Sequence, residues 1–310
     1  MIPPIIDPID VALLKSELNE KTFLRNTNRG NNEIYVVNNE NSPNVLREIG
    51  RLREVSFRAV GGGSGKDCDL DHFDLDDKAC FQLVVWNPEA DEIIGGYRFT
   101  RWKMASFHEN GQPFVNTEHL FDFSQEFIED YFPYCIEMAR AFVQPKYQSA
   151  QAGRKALFAL DNLWDGIGGL VASDPTVKYL SGKVTIYSSS PELSRKAMVY
   201  YLDKHFGDRE GLITSKNPEL WTPEQAEMFE EMFTEADYKE DYQILNNYVK
   251  SMGDVIPPLI HSYIGLSPTM KTFGTTFDPD FGDCYDTAMI ITVADIYQEK
   301  YDRYIGSFNN

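Results

Sequence analysis

The sequence predicts a single-domain α/β fold over residues 1–310, with strands and helices interleaved and a C-terminal helical insertion at about 207–260. Short runs rich in β-branched and aromatic residues alternate with longer stretches whose apolar residues recur every three or four positions, the periods of strand and helix. Hydrophobic residues make up 42% of the chain and charged residues 25%, which supplies apolar surface for a core and argues against disorder. Neither an internal repeat nor a low-complexity tract breaks the pattern.

The elements follow in order. Residues 9–20 carry apolar residues at helical spacing, and 33–38 (EIYVVN) read as a strand. From 44 to 60, Val45, Leu46, Ile49, Leu52, Val55 and Phe57 form a helical stripe, which the glycine-rich stretch 61–65 ends. Strands at 80–86 and 93–100 flank the turn-like 87–91 and predict a hairpin. A helix at 124–130, a strand at 134–143 (YCIEMARAFV), a helix at 153–164, a strand at 184–188 and a helix at 191–206 follow. Thr222-Pro223-Glu224-Gln225 is a helix-start signature, and the spacing predicts one acidic helix from there to about 252. The run 288–296 reads as a buried final strand.

Charge and motifs narrow the chemistry. With 29 Lys+Arg against 48 Asp+Glu the net charge is −19, which excludes a nucleic-acid face and a polybasic membrane anchor. The cysteines Cys68, Cys80, Cys135 and Cys284 form no C-x-x-C pair and predict free thiols in a reducing cytosol. The start of the chain lacks a signal-peptide pattern, so a cytoplasmic location is expected. Gly61–Lys66 fails as a P-loop because Val60 stands at the first Gly position and Asp67 follows the Lys. The run 67–77 holds six aspartates but fails as an EF-hand, with His72 at position six and Lys78 at position twelve. On composition alone it reads as a solvated loop. The five histidines make no H-x-x-x-H pair, so no metal site is expected, and Ser188-Ser189-Ser190 lacks a nucleophile elbow.

One constellation remains. A helix ends in Leu52-Arg53-Glu54-Val55-Ser56-Phe57-Arg58, the acidic segment 69–77 follows, and then a strand carries Gly95-Gly96-Tyr97-Arg98-Phe99. A later strand carries Glu137-Met138-Ala139-Arg140, and Tyr200-Tyr201 with His205-Phe206 lies on a further helix. This order resembles the GNAT acyltransferase superfamily. Within it, the chain resembles the N-acyl amino acid lipid synthases, the ornithine- and glycine-lipid enzymes often labelled hemolysins, and more distantly the acyl-homoserine-lactone synthases. The resemblance covers roughly residues 9–300. It implies a mixed central sheet with splayed parallel strands, those at 134–143 and 184–188, and flanking helices.

It also implies transfer of a long, 3-hydroxylated acyl chain from acyl carrier protein to the amine of glycine or ornithine, in amino-acid lipid synthesis. Arg53, Phe57, Asp71, Asp74, Arg98 and Arg140 would then bind substrate, and Phe142, Val143, Gln148, Gly153 and Arg154 the acyl-phosphopantetheine arm. No tightly bound cofactor is expected, and peripheral contact with the inner membrane face is a further expectation. An amine must lose a proton to attack a thioester, and Glu137, in an otherwise apolar strand, is the candidate base. Burial would raise its pKa towards working pH. Strict alternation puts Glu137 and Arg140 on opposite faces, and a β-bulge between them would bring them together. The competing reading is that Arg98 and Arg140 only neutralise Asp71, Asp74 and Glu137. Tyr201 is the candidate acid for the leaving thiol by the resemblance; the alternative is a core aromatic. Phe158 and Trp164 would line an acyl tunnel or simply pack the core.

In the stretch 148–153, Gln151 stands where the family's first phosphate-turn Gly belongs, which disfavours the pyrophosphate of coenzyme A. Residues 146–204 hold eight basic and five acidic residues, an excess that would attract an acidic carrier protein. The rivals are an acyl-CoA-dependent N-acetyltransferase on a small amine and a non-catalytic binding protein of the same fold.

Overall fold

The computed structural model describes residues 2–76, 80–148, 154–235 and 237–309, with the side chains of 154–157 and 309 outside that description. In chain order the elements begin with α1 (Val11–Glu17), β1 (Phe23–Asn26), β2 (Glu33–Val37), α2 (Pro43–Arg58), α3 (His72–Leu75), β3 (Cys80–Asn87) and β4 (Glu92–Arg101). Then come β5 (Phe121–Phe123), α4 (Gln125–Asp130), β6 (Cys135–Val143), α5 (Arg154–Ser173), β7 (Tyr179–Ile186), α6 (Glu192–Phe206) and β8 (Ile213–Ser215). The last are α7 (Pro223–Met232), α8 (Tyr238–Ser251), α9 (Pro258–Ile264), β9 (Lys271–Asp278), β10 (Cys284–Thr292) and α10 (Gln298–Tyr304).

Two compact units share the chain where one domain was expected. The first comprises Met1–Ala105, Tyr134–Lys178 and Tyr297–Asn310, and the second Ser106–Pro133 and Tyr179–Ile296. Strand β6 belongs to the first unit and β7 to the second.

In the first unit the strands run antiparallel in the order β1-β2-β3-β4-β6. The helix α5 packs on β3 and β4, and a Cβ at Gly166 would lie 2.5 Å from Leu83 Cδ2. Gln82 and Arg98, one residue from Leu83 and Tyr97, therefore face the opposite side, where α2 and α3 lie. The β4–β6 register shifts between Gly96↔Phe142 and Arg98↔Ala139, which leaves one extra residue on β6. Arg140 occupies this bulge in the left-handed region, at φ +50°. Opposite it, Gly95 and Gly96 permit close strand approach: a Cβ at Gly95 would lie 2.4 Å from the Phe142 carbonyl oxygen, and one at Gly96 2.5 Å from that of Leu83.

In the second unit, β7-β10-β9 form an antiparallel sheet and β5 pairs with β8. The expected acidic helix is two helices, α7 and α8. The break at 233–237 is held by polar groups: the Lys204 ammonium donates to the Phe233 carbonyl and, at 2.7 Å, to buried Asp241, which also accepts from the Glu235 N–H. Asp237 then caps α8 by accepting from the Lys239 N–H at 2.7 Å.

Candidate active site

The helix α2 buries Arg53 and Phe57 on the face that also buries Leu46, Ile49 and Leu52. After the glycine-rich turn the chain doubles back. The Asp69 N–H donates to the Gly50 carbonyl, and a Cβ at Gly50 would lie 2.7 Å from Cys68 Sγ. Asp71 then caps α3: its carboxylate accepts from the Phe73 and Asp74 N–H groups, and Asp74 accepts in return from the Asp71 N–H.

This geometry corrects the solvated-loop expectation for 67–77, because Asp69 and Asp74 are buried at 1% and 4% exposure. Arg53 grips both: Nε to Asp69 Oδ2 at 3.0 Å, and Nη1 and Nη2 to the two Asp74 oxygens at 3.1 and 2.8 Å. Arg98 Nη1 reaches both Asp71 oxygens at 2.8 Å and Asp74 Oδ2 at 3.2 Å. Arg140 approaches Asp69 and Asp71 at a looser 3.6 Å. Burial alone would raise the Asp74 carboxyl, but Arg53 and Arg98 outweigh it and hold it far below the ordinary range. Asp69 is likewise held low against its burial by Arg53 and Arg140. Three arginines and three aspartates thus share one buried network, with the Gln82 amide donating to Asp74 at 2.9 Å.

The register places Glu137 on the same sheet face. Arg98 pairs with Ala139 and Thr100 with Glu137, so Arg98, Thr100 and Glu137 share one side. The bulge turns Arg140 onto that side as well, the arrangement the sequence required for the two to cooperate. Glu137 is 1% exposed and accepts a 3.0 Å hydrogen bond from the Trp102 indole N–H.

The other candidates are placed less centrally. Phe142 is buried on β6 just past the bulge and Val143 half-buried, and the Gln148 side-chain amide donates to the Val143 carbonyl at 2.5 Å. Gly153 and the side chain of Arg154 lie outside the described residues. Tyr201 belongs to the second unit, where its hydroxyl donates to the Tyr238 carbonyl at 2.8 Å among Phe206, Phe233 and Tyr242. Burial pushes its phenol well above the ordinary range, which keeps the hydroxyl protonated. Trp164 packs against Tyr304 in the first unit, as a core residue would.

The basic excess of 146–204 is largely neutralised in the fold. Lys146 pairs with Glu92, Lys183 with Asp286, Arg195 with Glu219, Lys196 with Glu192 and Lys204 with Asp241. Sequence reasoning missed Asp69, Gln82 and Trp102. Asp69 stood in the acidic run, and Gln82 is legible as the partner of Arg98 once the hairpin register is known.

A glycine N(alpha)-acyltransferase of Phocaeicola vulgatus is 49% identical over 98% of this chain and 93% of its own length. The chain belongs to the glycine N(alpha)-acyltransferase family. A second member, from Bacteroides thetaiotaomicron, is 48% identical over 98% of this chain and 90% of its own length. The acetyltransferase (GNAT) domain family matches residues 52–157, which contain the whole charged network and Glu137. Among solved structures, an N-acyl amino acid synthase from uncultured soil microbes aligns with 85% of this chain and 93% of its own at 10% identity, with a TM-score of 0.39. This family member is therefore an acyltransferase of GNAT fold. No described helix is long and apolar enough to cross a membrane.

Proposed function

We propose that this protein moves a long, 3-hydroxylated acyl chain from the thioester of acyl carrier protein to the amine of glycine, giving an N-acylglycine for amino-acid lipid synthesis. The observation that carries the reading is Glu137: a buried carboxylate, oriented by the Trp102 indole, on the sheet face that the bulge at Arg140 shares with the charged network. Glycine as acceptor is favoured by the names of the two relatives.

Glu137 takes a proton from the glycine ammonium, directly or through a water, and the free amine attacks the thioester carbonyl. The attacking nitrogen sheds its second proton, the tetrahedral intermediate collapses by breaking the C–S bond, and of the two protons lost from nitrogen one goes to the departing sulfur, giving the carrier thiol, and the other to solvent. Arg53 and Arg98 fix the acidic segment against α2 and β4, and Arg140 joins it to β6, the strand that carries Glu137. Acyl carrier protein is favoured over coenzyme A by Gln151 in the phosphate turn and by the resemblance to the amino-acid lipid synthases; the basic excess no longer contributes, since most of it is ion-paired.

The purified protein with glycine and either a 3-hydroxyacyl carrier protein or the matching acyl-CoA separates the donors. Turnover with the carrier thioester is expected, and turnover with the CoA thioester alone overturns that assignment. Glu137→Gln is expected to lower kcat by about 10²–10⁴-fold with the fold intact, and the deficit should shrink as pH rises and free amine accumulates. Full activity of that variant at neutral pH would show that the carboxylate is structural.

A further inference from the structure

A second chemical cluster lies wholly in the second unit. His119 precedes β5, Asp278 ends β9, and Asp280 stands in the turn to β10. Their ligating atoms all lie within 4.8 Å of one another. The His119 Nδ1–H donates to the Asn116 carbonyl at 2.8 Å, because a carbonyl can only accept. In the neutral imidazole the lone pair is then on Nε2, and Nε2 faces Asp278 Oδ2 at 3.6 Å.

Asp278 is 3% exposed. Its Oδ1 accepts from the Asp280 N–H at 3.0 Å, whereas Oδ2 faces His119 Nε2 at 3.6 Å. The nearest ammonium, Lys183, is 3.9 Å from Oδ2 and is engaged by Asp286 at 2.8 Å. The Nε2 edge of the imidazole thus meets a buried, charged oxygen at ion-pair distance, 3.6 Å. Such an arrangement costs free energy unless a cation bridges it or the imidazole is itself protonated.

We propose that His119, Asp278 and Asp280 bind a zinc ion. Zinc takes imidazole nitrogen at about 2.0–2.1 Å and carboxylate oxygen at about 2.0–2.2 Å, and two such ligands at a tetrahedral angle lie about 3.4 Å apart. The 3.6 Å between Nε2 and Oδ2 is within a small side-chain adjustment of that value. Exposed Asp280 is free to swing in as the third ligand, leaving a fourth position to water. The Asn116 carbonyl supplies the outer hydrogen bond that fixes a ligating imidazole in zinc sites. A nitrogen donor beside two carboxylates favours zinc over magnesium or calcium, which prefer all-oxygen shells. The Lys183–Asp286 pair next to the site adds no net positive charge. The ion would clasp the segment before β5 to the β9–β10 turn. No sequence spacing announces the site, because His119 and Asp278 are far apart in the chain.

The test is a zinc titration of the whole protein, stripped with a chelator and competed against a chromophoric indicator, with thermal unfolding followed in parallel. About one zinc per chain at micromolar affinity or tighter is expected, with a higher Tm that magnesium and calcium do not reproduce. His119→Ala and Asp280→Asn, both at exposed positions, should each weaken binding at least tenfold and remove the Tm rise while leaving the metal-free Tm near that of the parent. Absence of binding in the parent, which would mean that a protonated imidazole faces the carboxylate, overturns the proposal. So does zinc binding of equal strength in His119→Ala.

Discussion

Arg53 is the residue on which the charged network turns, because its guanidinium hydrogen-bonds both buried aspartates, Asp69 and Asp74. Replacing it with Met keeps the volume but strands Asp69 and Asp74 as buried charges, and the expected loss is about 3–5 kcal/mol, read from chemical denaturation at pH 7. The pH dependence follows from the direction of the shifts. Asp69 and Asp74 are held below 3.8 in the fold, so their contribution is complete above that value and is lost as pH falls through the folded values. The stability gap between the parent and Arg53→Met should therefore be constant from pH 7 to 5 and narrow below about pH 4. A gap that stays constant down to pH 3 would mean that packing, not charge, accounts for the loss.

At the level of elements, the bulge and the paired glycines opposite it act together. Gly95→Ala would drive a methyl group into the Phe142 carbonyl, so β6 must move away from β4 beside the bulge that turns Arg140 into the network. A loss of about 1–3 kcal/mol is expected, together with a fall in kcat, in denaturation and turnover assays. Elements with a strong period were legible in the sequence: α2, the β3–β4 hairpin, β6 and α6 stand within a few residues of their expected places. The misses have physical causes. The strands β1, β5 and β8 hold three or four residues, too few to show alternation. The continuous helical pattern over 223–252 hid a break because the groups that hold it, Lys204 and Asp241, are remote in sequence. Of the site, Arg53, Asp71, Asp74, Arg98, Glu137 and Arg140 were legible through the order of motifs. Composition spoke against burying the acidic run, and only the three arginines, brought in from α2, β4 and β6, reverse that cost.

Across the whole molecule the net charge is −19, and among the described side chains of 146–204 Lys146, Lys183, Arg195, Lys196 and Lys204 are each paired with a carboxylate of the same chain. An acidic carrier protein must dock against that repulsion, and KM for the carrier thioester should fall as salt is raised from low ionic strength, because screening removes like-charge repulsion. A KM that rises steeply with salt would point to a basic docking face instead. The first unit also has an uncommon construction: it is closed by residues 297–310. Arg25 on β1 donates to the Tyr304 carbonyl at 3.1 Å, the Tyr304 hydroxyl donates to Asp161 at 2.7 Å, and a Cβ at Gly168 would lie 2.1 Å from that same carbonyl oxygen. On the ribosome, α5 emerges and must then wait while residues 179–296 are made, on the order of 10 s at usual elongation rates. Throughout that interval the flank of α5 that α10 will cover is bare, so the nascent chain is expected to be a chaperone client until its final helix arrives.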